Sequence, residues 1–166
     1  MKVVASLFSL SGIGEDRLCL RWVSASEGQL FAQYVKEYSE TVQKLGPFYK
    51  EDFEIPLKAV GRTLETQRLR WLMGMQPKLT DGGNVYGEKV DPGVYDRLLH
   101  QISEEEYQKA LVLEALETGP GSTREIALKT GLTIYDVARR INELERSHLA
   151  AFAGFEDRTA RFGLAP

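Results

Sequence analysis

Residues 103–166 permit few folds, because two different hydrophobic periodicities follow one another in this stretch. Apolar residues first recur at spacings of three and four, which predicts helices that begin at Ser103, at Ser122 or Thr123, and at Ile134. Glycines separate the helical segments, as is usual at helix ends. Apolar and polar residues then alternate towards residue 166, which predicts β-strands.

The alternating segments are Ala150–Phe155 and Thr159–Leu164, and the polar residues Glu156-Asp157-Arg158 between them predict the turn of a hairpin. A helix, a helix–turn–helix pair and a hairpin in this order are typical of a winged-helix domain. We therefore predict a winged helix-turn-helix domain over residues 103–166.

The first helix of this domain has both a start signal and a buried side. Ser103, with Glu106 three residues later, predicts a capping box. The predicted buried stripe is Leu111, Val112, Ala115 and Leu116, with Tyr107 at its edge. Glu114 falls outside that stripe, so we expect it to face water.

Residues 1–47 predict a helix, a strand and a second helix. Val3–Leu10 suits one helical face, and a hairpin strand is the alternative for so short a segment. Arg17–Val23 alternates, which predicts a strand with Leu18, Leu20 and Trp22 on its buried side. Cys19, on the other side of this strand, is expected to be a core residue rather than a nucleophile.

The second helix of this part follows Ser24-Ala25-Ser26-Glu27-Gly28, a turn that supplies N-cap residues and an early acid. Gly46-Pro47 ends the helix. Its apolar residues are Leu30, Phe31, Tyr34, Val35, Tyr38, Val42 and Leu45. The free N–H groups at its start suit either simple N-capping, which we favour, or contact with an anion or a cofactor edge.

Residues 48–102 predict a helical linker region. A helix is expected over Leu57–Met73, an irregular loop over Pro77–Pro92 and a short helix over Val94–Gln101. Within the loop, Gly83–Glu88 is either a binding loop or a glycine-rich turn. The sequence as a whole therefore predicts a helix-rich α+β protein with three parts, which are residues 1–47, 48–102 and 103–166.

The composition excludes several kinds of site. The net charge of the 166 residues is −3, and no apolar run approaches the roughly 20 residues that span a bilayer, so we expect a cytoplasmic protein without membrane contact. Cys19 is the single cysteine, which excludes an internal disulfide and a four-thiolate iron–sulfur cluster. With His100 and His148 added, no zinc pattern arises. We therefore expect no cofactor, no metal and no catalytic residue.

A winged helix also invites a DNA-binding hypothesis, with Ile134–Leu149 as the helix that enters the groove. The candidate contact residues on this helix and the wing are Thr133, Tyr135, Asp136, Arg139, Arg140, Asn142, Arg158 and Arg161. Residues 103–166 carry eleven acidic and eight basic side chains, however. Because neutralised phosphates supply most non-specific affinity for DNA, this balance favours a protein-docking or structural role.

One segment resembles a known family. It consists of Arg17–Gly28 (RLCLRWVSASEG), followed by Phe31, Glu37 and Lys44–Pro47 (KLGP). With these residues, positions 12–47 resemble the C-terminal end of the delta (iron–sulfur) subunit of methyl-viologen-reducing hydrogenase, a subunit associated with heterodisulfide reductase. Gly83–Glu88 and the predicted winged helix are similar to C-terminal extensions of some longer members.

The resemblance implies a flavodoxin-like fold for residues 1–47, in a family whose members relay electrons through a cysteine-bound iron–sulfur cluster to a flavin-containing partner. The cysteines of that cluster have no counterpart in this sequence. The resemblance therefore implies a non-catalytic subunit or assembly element of a hydrogenase/heterodisulfide-reductase-type electron-transfer complex, acting through protein–protein contacts. The alternative is a winged-helix transcriptional regulator that binds DNA.

The predicted strand also points to a partner. Leu18–Val23 needs hydrogen-bonding neighbours, and Val3–Leu10 is the one nearby segment that offers any. In the family, this strand joins a parallel sheet whose other strands are missing here. We expect residues 1–47 to contact a second copy of the chain or a separate redox subunit. The candidate partner-binding residues are Leu20, Trp22, Ser24, Ser26, Glu27, Gly28, Tyr34 and Tyr38.

Overall fold

The computed structural model describes residues 2–83 and 86–166. Within these residues the chain forms seven α-helices followed by a two-stranded antiparallel hairpin, so it is a helix-rich α+β protein. It divides into two compact units, of which the first ends at Glu54 and the second spans Ile55–Pro166. No helix in the described ranges is long and apolar enough to cross a membrane.

Helix α1 (Lys2–Leu10) opens the first unit. Val3 and Leu7 are buried and lie one turn apart on the same face. A helix, and not the alternative hairpin strand, is therefore confirmed for this segment. Two residues after it, Gly12 adopts a φ of 74°, a left-handed conformation that glycine tolerates without strain.

Helix α2 (Gly28–Leu45) is the long helix predicted for the first half of the chain. Short 3-10 turns flank it at Glu15–Arg17 and at Lys50–Phe53. Gly46 follows the last helical residue with a φ of 73°, as predicted from the Gly-Pro pair.

The strand predicted over Arg17–Val23 is wrong. Residues 18–24 have no regular secondary structure, although Leu18 itself is extended, with φ −123° and ψ 122°. Leu20 and Trp22 are exposed instead of buried, and Cys19 is exposed instead of lying in a core. The physical reason is that this unit offers no second strand among its described residues, so the segment has nothing to pair with.

Helices α3 (Glu54–Glu65) and α4 (Gln67–Pro77) replace the single helix that was predicted over Leu57–Met73. The break falls at Thr66, which is extended at φ −62° and ψ 135°. Its hydroxyl donates to the carbonyl oxygen of Thr63 at 2.9 Å. A local side-chain bond of this kind competes with continuation of the helix.

Beyond α4 the chain forms one wide turn of π-helix, Lys78–Gly82, where an irregular loop was predicted. Gly83 follows with a φ of 76°, and a Cβ atom there would lie 3.1 Å from the carbonyl oxygen of Glu88, so the close approach requires glycine. Asn84 and Val85, in the middle of the Gly83–Glu88 loop, lie outside the described residues.

Helix α5 (Pro92–Glu117) runs without interruption where two helices were predicted on either side of residue 102. Asp91 caps it by accepting a hydrogen bond from the N–H of Val94 at 3.0 Å. The predicted capping box at Ser103 is therefore wrong. The Ser103 hydroxyl is buried inside the helix and donates to the carbonyl oxygen of Leu99 at 2.7 Å.

Helices α6 (Thr123–Thr130) and α7 (Ile134–Arg146) follow in the predicted order. Strands β1 (Ala150–Glu156) and β2 (Thr159–Leu164) then pair in an antiparallel hairpin. The two residues between the strands, Asp157 and Arg158, both have positive φ, 47° and 62°. This geometry matches the right-handed twist of a tight hairpin.

The core of the second unit joins α5, α6, α7 and the start of β1. Ser122 begins α6 with a capping box to Glu125, which settles the choice between Ser122 and Thr123. The stripe predicted on α5 is confirmed, because all four of its residues are buried. This core cluster consists of Val112, Leu113, Ala115, Leu116, Ile126, Val137, Ile141, Leu144 and Ala150. Val60, Leu69, Leu72 and Tyr95, on α3, α4 and the first part of α5, are also buried in this unit.

The prediction that Glu114 faces water is wrong. Its side chain is 6% exposed and accepts a hydrogen bond from the Arg62 guanidinium at 2.7 Å. Arg62 also pairs with Glu117. Burial would lower the pKa of Arg62, but its bonds to Glu114 and Glu117 outweigh this effect and raise it. Glu114 is buried because α3 supplies a cation that a prediction from α5 alone does not include.

Candidate protein-binding surface

Helix α2 has an apolar stripe but no buried residue. At about 100° per residue, Phe31, Val35 and Val42 fall within about 40° of one another around the helix. Phe31 is 58% exposed and Val35 is 49% exposed. Because the apolar stripe of a surface helix normally faces a core, α2 presents to solvent a face that comparable helices bury.

The adjoining part of the stripe lies against the chain that precedes the helix. The Tyr38 hydroxyl donates to the carbonyl oxygen of Arg17 at 2.6 Å, and the Arg21 guanidinium lies 5.7 Å from the centre of the Tyr34 ring. These contacts show that residues 17–21 run antiparallel to α2 along its flank. Tyr34 and Tyr38, which the sequence nominated for a partner, are therefore half-buried within the chain itself.

Arg17 ties the start of this stretch to the end of α2. Its guanidinium donates to the carbonyl oxygens of Leu45 at 3.1 Å and Gly46 at 3.3 Å, where the helix end carries partial negative charge. The same guanidinium lies 5.4 Å from the centre of the Phe48 ring. Sequence reasoning gave Arg17 no role, because 28 residues separate it from Leu45 and no local pattern signals such a contact.

The backbone of Cys19–Val23 makes no hydrogen bond to any described residue. Just before it, the N–H of Leu18 donates to the carbonyl oxygen of Glu15 at 2.9 Å. Just after it, the N–H of Ser24 donates to the Glu27 carboxylate at 2.8 Å. The chain is therefore held on both sides of these five residues, while their own backbone N–H and C=O groups have only water as a hydrogen-bonding partner.

Large apolar side chains project from this stretch, and Trp22 is 86% exposed. We use the name docking surface for six exposed residues of the stretch and of α2, which are Leu20, Trp22, Val23, Phe31, Val35 and Val42. An aromatic side chain buries about 150–250 Å² when covered, so Trp22 and Phe31 alone expose on the order of 300 Å². Aromatic residues are enriched at protein interfaces, so both rings are candidate contacts for a partner.

The remaining partner candidates, Ser24, Ser26, Glu27 and Gly28, form an exposed turn before and at the start of α2. The prediction that a serine caps this helix is wrong. Glu27 occupies the N-cap position without a side-chain cap bond, because its carboxylate turns back to the N–H of Ser24. The two serine hydroxyl oxygens lie 3.1 Å apart and bond to each other.

The residues nominated for DNA lie in the second unit. Thr133 caps α7 by accepting a hydrogen bond from the N–H of Asp136 at 3.1 Å. Tyr135, Arg139 and Asn142 are exposed at spacings of four and three along the helix, so they share one face. Arg158 is exposed in the hairpin turn.

The expectation that Arg140 faces a groove is wrong. Its side chain is 4% exposed and donates to both carboxylate oxygens of Glu143, at 2.8 and 2.9 Å, and to Gln108 at 2.9 Å. Arg161 is also engaged, since it pairs with Glu125 and Glu156 at 3.0 Å each. Acidic side chains of the same chain thus bind Arg140 and Arg161, two of the arginines that were candidates for contact with DNA phosphates.

On the hairpin side of this unit, groups of the same chain bind the carboxylate of Glu125. The backbone N–H and then the hydroxyl of Ser122 bond to its carboxylate and hold the pKa of Glu125 below its usual value, and Arg161 adds to this effect. The described residues hold no group of three or more side chains suited to a metal ion. We take the docking surface, whose six exposed apolar residues lie within residues 20–42, as the candidate functional site.

Comparison with known proteins gives two partial matches. The model of the family described as methyl-viologen-reducing hydrogenase, delta subunit, matches residues 1–46. An iron-sulfur subunit of the F420-non-reducing hydrogenase of Archaeoglobus profundus is 43% identical over 47 residues, which are 28% of this chain and 34% of that protein. The matched part thus spans about a third of the relative's length, and no solved structure matches. All six residues of the docking surface lie in the stretch that is similar to hydrogenase delta subunits.

Proposed function

We propose that this chain is a non-catalytic subunit or assembly element of a hydrogenase/heterodisulfide-reductase-type electron-transfer complex and acts through protein–protein contacts. The observation that carries the proposal is the coincidence of two boundaries. The family match ends at residue 46, and α2, the helix without a buried residue, ends at Leu45. The part of the chain that is similar to a redox subunit is therefore also the part with an uncovered apolar face.

The chemistry of the chain supports a role in assembly. An iron–sulfur cluster is usually held by four thiolates, and this sequence supplies one, from the exposed Cys19. Electron carriers of the complex would then belong to its other subunits. The chain would contribute binding energy and position, for which the docking surface provides apolar area and Arg17 and Tyr38 provide a fixed backbone.

The fold supports the same division of roles. We infer that residues 1–47 are a flavodoxin-like fragment, which accounts for an exposed stretch without regular secondary structure beside an exposed helix. We infer that residues 103–166 form a winged helix-turn-helix that docks proteins. The order α5, α6, α7 and hairpin supports this, as does the engagement of Arg140 and Arg161 by acids.

The test is co-purification of the tagged full chain with the hydrogenase and heterodisulfide reductase subunits encoded in the same genome. We expect a stable complex whose dissociation constant rises at least about tenfold for Trp22→Ala, since aromatic anchors dominate interfaces. Leu128→Ala, an exposed leucine of the second unit, is the matched control and should bind normally. If every subunit elutes without the chain, the proposal is overturned.

Duplex DNA is the second arm of this test. At near-physiological salt we expect a dissociation constant no tighter than about 10⁻⁶ M and no sequence preference. Nanomolar, sequence-selective binding that disappears with Arg139→Ala would instead establish a DNA-binding regulator.

A further inference from the structure

We propose that Cys19–Val23 docks by strand addition: the segment pairs with the open edge of a covered β-sheet in a partner protein, while α2 packs on one face of that sheet. The inference rests on the proposed function for the identity of the partner. It goes further by assigning the mode of binding and the kind of surface that the partner must present.

The first argument is the state of the backbone. Five N–H and five C=O groups in succession lack a partner among the described residues, while Leu18 and Ser24 on either side are engaged. A neighbouring strand supplies such groups at the spacing that an extended chain requires. An apolar groove without backbone donors and acceptors would remove water from these groups and leave them unpaired, which is unfavourable.

The second argument is that the segment is already held in place before a partner binds. Arg17 is bonded to the end of α2, Tyr38 holds the Arg17 carbonyl oxygen, and Arg21 lies over Tyr34. These contacts lay the segment along the helix before any partner arrives. Because fewer chain conformations are lost on binding, more of the interaction energy appears as affinity.

The third argument concerns the two sides of the segment. Arg21 points towards α2, since its guanidinium contacts the Tyr34 ring. Side chains alternate along a β-strand, so pairing of the segment as a strand would place Leu20 and Trp22 on the side opposite Arg21. The added strand therefore needs apolar cover on the side opposite α2. A sheet covered on both faces is typical of α/β proteins, so the partner is expected to have such a sheet with one exposed edge.

The fourth argument favours a different protein over a second copy. Antiparallel pairing of two identical segments about their centre would set Arg21 opposite the same residue of the other copy, and like charges in that position are destabilising. It would also give a two-stranded ribbon, because the described part of the first unit contributes no further strand. Ribbons of two strands are marginal in water, whereas addition to an existing sheet gives three or more.

The experiment measures amide hydrogen exchange, resolved to single residues, in the free full chain and in its complex with the subunits named above. In the free chain we expect the amides of Cys19–Val23 to exchange at unprotected rates. In the complex, at least alternate amides of this segment should slow about tenfold or more, because every second N–H of a strand points to the same neighbour. Phe31→Ala should weaken the complex about tenfold, and Glu40→Ala, at an exposed position on the opposite side of α2, should not.

Each outcome decides a separate question. A complex in which Cys19–Val23 stays unprotected overturns strand addition and leaves the proposed function intact. Failure of every subunit to bind overturns both. Protection that appears in the chain alone and grows with its concentration assigns the segment to a second copy, which also overturns the proposal.

Discussion

The two longest helices of the protein, α2 and α5, differ most in how they are covered. Eighteen residues of α2 include none that is buried, whereas thirteen of the twenty-six residues of α5 are buried. Yet α2 has its apolar residues on one side, and the buried residues of α5 lie around its whole circumference. An apolar stripe therefore indicates that a helix packs against another surface. The rest of the chain determines whether that surface lies within the same protein.

The largest expected difference between the two regions is the response to truncation of an apolar side chain. Ile141→Ala, on α7 in the core of the second unit, should lower the free energy of unfolding by about 2–5 kcal/mol, since it removes buried contacts and leaves a cavity. Urea unfolding followed by circular dichroism measures the change. Leu128→Ala, at an exposed position of α6, is the control. Equal effects of the two variants would mean that the assigned core is wrong.

A smaller effect is expected from Arg62→Ala, which leaves the buried Glu114 without its cation. Because Arg62 is itself 37% exposed and solvent partly screens the pair, we expect a loss of about 1–2 kcal/mol. Arg70→Ala, at an exposed arginine of α4, should change the stability little. In the Arg62→Ala background, Glu114→Gln should recover part of the loss, and no recovery would contradict the pairing.

The smallest effect is expected on α2. Phe31→Ala should change the free energy of unfolding of the isolated chain by no more than about 0.5 kcal/mol, because more than half of the side chain is already exposed to water. Leu7→Ala, at a fully buried position of α1, should destabilise the chain by about 2–5 kcal/mol and serves as the comparison within the same unit. A large loss for Phe31→Ala would show that the chain itself covers this face of α2 in solution.

Local patterns predicted the elements whose causes are local. The hairpin, the ends of α6 and the Gly46 end of α2 follow from residues within a few positions, and the sequence placed them well. The stripe of α5 around Val112 and Leu116 was also correct, because periodicity alone marks it.

What the sequence missed depends on distant partners. Glu114 was placed in water because its cation, Arg62, lies 52 residues away. Arg140 was predicted to contact DNA, although Gln108, 32 residues earlier, accepts one of its hydrogen bonds. Apolar and polar residues do alternate in the sequence around Leu20 and Trp22. A strand requires a neighbouring strand, however, and none occurs in the described part of this unit.

Helix α5 also governs how the second unit can lose its structure. At 1.5 Å per residue, its twenty-six residues form a rod about 39 Å long. Tyr95, near its start, bonds to the carbonyl oxygen of Leu72 on α4, and Gln108, beyond its midpoint, bonds to Arg140 on α7. One continuous ladder of backbone hydrogen bonds thus connects the two packing sites. We therefore expect α4 and α7 to unfold in a single cooperative transition, without a populated state in which one half of the rod has melted.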